Sequence, residues 1–425
     1  MSGDASSSDA DPLRACRAAA RRRLRERVGA IIRSIREPLA DVLRDHALVH
    51  LPPAAAARLR LVHPSWALAL GSPLFAVAHA AAPRRSSGLF APSSAGGFLP
   101  LDAADTVPSP TLSFVPASSE LAALSSTRGL ACCFSLADDA YFVCNPATAC
   151  WAGVPSPPRR TWPPRPAVVV LFDATAYNFR GDYALVSAFE SAPGSGTYCF
   201  AVFTSGAGAW WVADAIAPAE GLVPASGVAA GGTAWWRTAI GTAVGYNPTT
   251  GRVEMAVCPG DSGHWEIGSV ADRLHCAVLD EGDVVVCRLA THDGGWEVAA
   301  RVAVAEILQD ADEAAEEEAP RAIVAVANRV RRPNYDVRLL PFQGAEVEVV
   351  VLSGRRVVAF DTVTRRRREA ALPDPPEGRE WSDAEYTAHT NTLALVAPAV
   401  LACEPAGALT EPPDDREACI FLSKS

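Results

Sequence analysis

Two patterns of apolar spacing divide the chain. In "PLADVLRDHALVHLPP" the residues Leu39, Val42, Leu43 and Ala47 recur at i, i+3, i+4 and i+8, one face of a helix. Pro52 and Pro53 stop that helix because neither donates a backbone N–H, and Pro53 suits the first turn of the next one. "AAAARLRLVHPSWALAL" restarts the helical pattern, Pro64 divides it, and "GSPLFAVAHA" adds a turn and a last short helix. Upstream, the Ala- and Arg-rich residues 14–37 predict a basic helix by propensity. The Ser- and Asp-rich residues 1–13 are expected to be disordered.

Beyond residue 84 the helical period fades. Short Val-, Phe-, Tyr- and Trp-rich runs appear between Gly, Pro and Ser turns, among them "GLACCF", "AYFVCN", "YALVSAFE", "TAWWRTA", "DVVVCRL" and "VEVVVLS". Strands of this length and spacing predict an all-β fold. Three of them share one design: "YFVCNPATACWAGVP", "TAVGYNPTTGRVEMAVCP" and "RVVAFDTVTRRRREAALP". Each is a strand, then Asn-Pro or Asp, a Thr-containing turn and a second strand, with Asn145, Asn247 and Asp361 placed to bond their own turn backbone. These residues lie 102 and 114 positions apart, which fits two units of propeller-blade length per interval. A second set, "FTSGAGAWW", "DSGHWE" and "HDGGWEV", puts a Gly turn before a strand-opening Trp. A β-propeller of about six blades is the expected fold, with chance hairpins in a sandwich as the alternative.

The chain has 425 residues, of which 49% are apolar, enough for a large core, and a net charge of −10. That balance argues against nucleic acid as the main partner, since duplex binding needs a basic surface. No apolar run is long enough for a membrane span, and the N-terminus carries no signal core, so a nuclear or cytoplasmic location is expected. The eleven Cys are scattered without a CxxC pair, and buried, reduced thiols are the expectation. Two charged segments stand apart. The acidic residues 308–320 read as a solvated loop or short helix, and the Arg run at 365–368 as an exposed turn, with an acidic partner as the alternative.

Catalytic patterns do not emerge. There is no GxSxG elbow, no GxxxxGK[ST] phosphate cradle and no HExxH. His50 and His63 read as satisfied or exposed side chains rather than ligands. Asp138, Asp139, Asp173 and Asp283 fall near predicted turns, where Asp is a turn former. No cofactor or metal is called for, and the chain reads as a non-enzyme.

The early segment resembles an F-box. That family has a Leu-rich helix ending in Leu-Pro, then Leu-Arg, Val and Trp on a helix, then Ser-Pro-x-Phe. The matching positions are Leu43, Leu51, Pro52, Leu59, Arg60, Val62, Trp66, Ser72, Pro73 and Phe75. The pattern departs at "REPLADVL", which lacks the usual Pro-Asp, and at His63-Pro64-Ser65. The remainder is similar to the F-box-associated propeller of plant-type F-box proteins, through Gly129-Leu130, Asn145-Pro146-Ala147-Thr148, Trp151 and Pro155.

The resemblance implies an α+β multidomain chain, a small three-helix F-box module at 38–82 followed by an all-β propeller at 83–425. It implies a substrate receptor of a Skp–cullin–F-box ubiquitin ligase acting in protein degradation. The Skp-type adaptor, and through it cullin, would dock on Leu43, Leu51, Pro52, Leu59, Val62, Trp66 and Phe75. An unidentified protein substrate would sit on the propeller. The alternatives are a propeller interaction scaffold without a ligase role, its helical segment packed on its own propeller, and a propeller enzyme with carboxylates at the axial mouth.

Overall fold

The computed structural model describes residues 46–91, 97–118, 120–158, 165–175, 177–260, 265–290, 294–309, 337–372 and 385–399. The expected tail at 1–13, the basic helix at 14–37, Leu43 and most of the acidic segment lie outside these residues.

Prolines set the helices. α1 (Pro53–Leu59), α2 (Pro64–Leu70) and α3 (Pro73–Ala81) each begin with Pro in the first turn, where a missing N–H costs nothing. Pro64 therefore divides the pattern by opening a new helix. His63 Nδ1 accepts from Ser65 N at the start of α2, and Ser72 Oγ accepts from Phe75 N at the start of α3. A small core of Val49, Ala56, Leu70 and Phe75 joins the three helices, with Leu48, Leu59, Trp66 and Leu393 packed around it.

The strands build a six-bladed propeller. β1 (Gly88–Phe90) and β2 (Phe98–Pro100) pair first. Blade 1 holds β3 (Leu121–Thr127), β4 (Leu130–Ser135), β5 (Ala140–Asn145) and β6 (Cys150–Val154). Blade 2 holds β7 (Ala167–Phe172), β8 (Tyr183–Glu190), β9 (Thr197–Thr204) and β10 (Ala209–Pro218). Blade 3 holds β11 (Val228–Ala230), β12 (Thr233–Arg237), β13 (Thr242–Asn247) and β14 (Arg252–Val257). Blade 4 holds β15 (Trp265–Val270), β16 (Arg273–Asp280), β17 (Asp283–Leu289) and β18 (Trp296–Ala303), followed by α4 (Val304–Leu308).

Blade 5 is formed by β19 (Arg338–Leu339), β21 (Glu348–Ser353), β22 (Arg356–Asp361) and β23 (Arg367–Ala371). Between them β20 (Phe342–Gly344) runs parallel to β15. β24 (Thr387–His389) then pairs antiparallel with β1, Gly88 opposite His389, so blade 6 closes the ring with strands from both ends of the propeller.

The apolar cores lie between blades. Separate clusters fill the interfaces of blades 6 and 1, 1 and 2, 2 and 3, and 3 and 4, and one large cluster spans blades 4, 5 and 6. A strand sandwiched this way is covered on both faces and reads as a continuous apolar run, as in β4, buried along its whole length. Outer strands such as β10 alternate and are largely exposed.

The repeated turns behave as their sequence implies. Asn145 Oδ1 accepts from Ala147 N, Asn247 Oδ1 from Thr249 and Thr250 N, and Asp361 Oδ1 from Val363 and Thr364 N, all at 2.8–3.0 Å. They end the third strands of blades 1, 3 and 5, two blades apart. Trp210 and Trp296 open outer strands and clasp the preceding blade, donating to the Pro155 and Val257 carbonyls at 2.6 Å. Trp265 opens β15 and is buried.

The eight described cysteines are free thiols, five of them buried. The Arg run needs correction: it is not uniformly exposed. Arg365 is exposed and pairs with Glu306 at 3.0 Å, but Arg368 is half-buried in a two-point pair with Glu348. No helix among the described residues is long and apolar enough to cross a membrane.

Candidate functional site

The helical module is fastened to the propeller on one side, with Ala80 set in the core between blades 1 and 2, Leu393 packed on the helical core, and two polar residues bonding across. His79 is fully buried, with Nε2 3.0 Å from the Leu51 carbonyl and Nδ1 accepting from Leu393 N at 3.2 Å. A neutral ring with its proton on Nε2 satisfies both bonds. Burial, and next the Arg84 guanidinium, pull its pKa down to about 3. Arg84 donates to the carbonyls of His79, Leu51 and Val49, groups that the ends of short helical turns otherwise leave unpaired. Burial pushes its pKa down to about 10, against the pull of Asp105.

The rest of the module is open. Leu61 is 87% exposed, Val62 67%, Leu68 79% and Leu74 61%. The seven residues expected to contact an adaptor do not share one environment. Val62 is exposed, whereas Leu51, Pro52, Leu59 and Trp66 are half-buried. Phe75 is buried in the core that joins the helices, so its ring holds the module together and does not reach the surface. Leu43 lies outside the described residues. Sequence reasoning missed Leu61, Leu68 and Leu74. Knowing that Leu70 and Phe75 fill the core would have phased α2 and α3 and turned these three outward.

The axial mouth of the propeller is the second candidate. The turns between first and second strands meet there: Arg128–Gly129 in blade 1, Gly231–Gly232 in blade 3 and Ala271–Asp272 in blade 4, every residue at positive φ. Two-residue hairpins demand this conformation. Gly129 is required in addition by space, because a Cβ there would lie 2.0 Å from Thr392 Oγ1. The chain after β24 straps the mouth: Thr392 Oγ1 donates to Arg128 O, Ala397 N to Gly181 O, and Asn145 Nδ2 to the carbonyls of Thr392 and Ala394.

Two clefts open beside the strap. One of about 400 Å³ runs under the end of α3, bounded by Arg84, Gln343 and Glu346. The other, of about 790 Å³, lies over blades 2 and 3, bounded by Asp173, Tyr177, Asp182 and Thr249. Arg128 and Asp272 line both and face each other at 3.6 Å.

The remaining residues singled out for chemistry occupy other settings. Asp138 accepts from Ser135 Oγ and from the Ser118 backbone and hydroxyl, which lower its pKa, and Asp283 pairs with Arg301 at 3.1 Å. His50 and His63 are exposed. His389, which the sequence did not flag, is buried between Phe90 and Phe98 with Ser126 Oγ at 2.7 Å from Nδ1, and burial holds its pKa at about 3. Among the described residues no group of three or more His, Cys, Asp or Glu is placed to hold a metal ion.

No protein-family model matches the chain, and no curated protein matches it. Among solved structures, apo AztD from Citrobacter koseri aligns at 12% identity and TM-score 0.32, over 64% of this chain and 77% of that one. YCF48 bound to D1 peptide aligns at 11% identity and TM-score 0.32, over 60% and 68%. BBS1N in complex with ARL6DN aligns at 14% identity and TM-score 0.27, over 60% and 64%. Likenesses this distant carry no argument about what this chain does.

Proposed function

We propose that the chain is the substrate-recruiting subunit of a Skp–cullin–F-box ubiquitin ligase, working in the nucleus or cytoplasm. Its helical module docks the Skp-type adaptor and its propeller mouth holds the target protein. The observation that carries this reading is the uncovered apolar surface of the module: Leu61, Val62, Leu68 and Leu74 stand in water within fourteen consecutive residues. Exposed apolar side chains elsewhere are spread over the propeller's loops and outer strands, whereas these four crowd into one short segment, the arrangement of a surface that another polypeptide covers. Apolar anchors set in a partner's groove supply most of the energy of such docking.

The chain itself makes and breaks no bonds on this reading. It raises the effective concentration of a target lysine beside a charged ubiquitin carrier, which is catalysis by proximity. The test is capture of recombinant Skp-type adaptor by the full chain. Capture by wild type and its loss in Val62→Asp and Leu68→Asp are expected, and a wild-type chain that captures no adaptor ends this reading.

A second reading, an interaction scaffold without a ligase role, is favoured by the seating of the module on its own propeller through His79, Arg84 and Leu393. It predicts failure of adaptor capture with the mouth still able to bind.

A further inference from the structure

Three clefts of the mouth meet at one side chain. Asp272 lines the two already described and a third, of about 450 Å³, bounded by Asn247, Glu254 and Arg273. It sits in a turn of two non-glycine residues, Ala271 and Asp272, at φ 49° and 62°. The equivalent turn of blade 3 is Gly-Gly, the residue pair that relieves this conformation. A carboxylate kept in strained backbone at the meeting point of three clefts points to use.

The carboxylate is only loosely committed. Gly231 N donates to its Oδ1 at 3.2 Å, and Arg128 stands 3.6 Å from Oδ2 with both side chains in contact with solvent, a kind of pair that contributes little and opens readily. Within the 790 Å³ cleft Asp173, Asp182 and Asp272 face Arg128 as the one cation among the described lining residues, so the lining they form is negative. Asp182 is engaged on one oxygen, by Ser205 Oγ at 3.1 Å.

Two aromatic residues add to this. Tyr177, 89% exposed, lines the cleft with its ring unpacked. Tyr183, 4% exposed, lines it too, and its hydroxyl has no hydrogen-bond partner among the described residues, an orphaned buried group of the kind that calls for an explanation.

We propose that the mouth binds an extended peptide bearing Lys or Arg side chains, one of which displaces Arg128 from Asp272. Asp182 and Asp173 supply further negative charge along the cleft, and the Tyr177 ring offers a π face to the cation. The cleft volume is that of a ligand site and exceeds one side chain, and the adjoining clefts leave room for the flanking backbone. The inference rests on the reading that the propeller holds the target, and it names the target's chemistry.

The experiment is fluorescence anisotropy of the full chain with a labelled Gly–Ser peptide carrying central arginines, the same peptide carrying glutamates, and free arginine amide as competitor. The arginine peptide is expected to bind, and more weakly as salt rises, while the glutamate peptide does not bind. Asp272→Asn and Tyr177→Ala are each expected to weaken binding by roughly three- to tenfold, the scale of one partly exposed ion pair or cation–π contact. Arg128→Ala tightens binding by removing the competing cation. Asn tolerates the left-handed backbone and keeps an acceptor for Gly231 N, so Asp272→Asn retains the turn, and an unchanged thermal transition verifies that.

Equal binding of the glutamate peptide, arginine-peptide binding indifferent to both variants, or competition by arginine amide as strong as by the peptide would each overturn the proposal. Adaptor capture reads a different surface. A chain that captures adaptor but binds no arginine peptide sinks this inference alone, and the reverse sinks the ligase role alone.

Discussion

The propeller and the helical module are made from the same kinds of residue and treat them differently. In the propeller each inner strand lies between two neighbouring blades, and side chains such as Leu124, Leu130, Leu185 and Phe203 are fully buried. In the module α2 has one small core on one side, and Leu68, two positions from the buried Leu70, stands in solvent. Hydrophobicity does not set burial; the number of covering layers does. The propeller supplies its own layers by closing into a ring. The module has one face seated on the propeller, through His79, Arg84 and Leu393, and the other exposed.

The propeller half of this contrast breaks most easily. Phe200 is fully buried between blades 2 and 3, its ring stacked on Tyr246 at 4.6 Å with Trp236 beside it. Phe200→Ala leaves a cavity no side chain is free to fill and is expected to cost about 3–5 kcal/mol, read as a fall in the denaturant midpoint. Adaptor capture measured below the transition should stay intact. A variant that loses capture while still folded would show that the two regions are not separable.

Next in size is the strap that joins them. Asn145 and Asn247 occupy the same turn in blades 1 and 3, but Asn145 Nδ2 bonds two strap carbonyls whereas Asn247 Nδ2 reaches Thr233 Oγ1 within its own blade. Asn145→Ala orphans buried carbonyls and is expected to cost about 1–3 kcal/mol. Asn247→Ala should cost about 1 kcal/mol or less, since its site is half-buried and water replaces the lost partner. Hydrogen exchange should rise across residues 391–397 in the first variant only. Equal costs would mean that the strap is held by something other than Asn145.

Acid acts on both regions through two histidines. His79 and His389 have folded pKa values near 3, below the 6.5 of an unfolded histidine. A depressed value means that the unfolded chain takes up the proton first, so the stability they contribute is complete above pH 6.5 and is lost as pH falls toward 3. The limiting slope is about 1.4 kcal/mol per pH unit for each histidine. Arg84 and His50 near His79 reinforce its resistance to protonation. The carboxylates with lowered pKa, Asp138 and Asp361, titrate below the ordinary carboxylate range; His275, lowered by burial, acts in the same direction as the two histidines, and Asp105, raised by burial, opposes them, so the share of His79 is read from its variant. His79→Gln should flatten the fall of the denaturant midpoint between about pH 6.5 and 4.5 by the share of one histidine, and an unchanged slope would remove His79 from the linkage.

Much of this was legible in the sequence, and the parts that were not have a common cause. Pro53 marked a helix start, Pro64 and the Gly-Ser-Pro turn marked the breaks between helices, and the Asn145, Asn247 and Asp361 turns gave the two-blade spacing and hence the ring. Each of those signals is local: the residue and the atoms it bonds lie within a few positions. What escaped was long-range. Asn145 meets Thr392 across 247 positions. Arg128 meets Asp272 only because blades 1 and 4 face each other across an axis. Phe75 matched a docking pattern by position, yet the packing of Leu70, Val49 and Ala56 around it makes it core. Arg368 looked like part of a surface run until Glu348 was brought beside it.

The smallest effect on stability is the most decisive for function. Leu68→Asp replaces an exposed leucine by an exposed carboxylate and should shift folding free energy by no more than about 0.5 kcal/mol. Trp66→Ala differs, because Trp66 packs against the Leu70–Phe75 core, and truncating a half-buried indole should cost about 1–2 kcal/mol by the apolar area lost. If the open flank is a docking surface, Leu68→Asp abolishes adaptor capture with the thermal transition unmoved, whereas Trp66→Ala weakens capture and folding together. The ordering matters because a purely structural module predicts the reverse: Trp66→Ala the more damaging in every assay, and Leu68→Asp silent. Capture that survives Leu68→Asp at wild-type strength would therefore mean that the exposed leucines have no partner, and the contrast between the two regions would be one of packing alone.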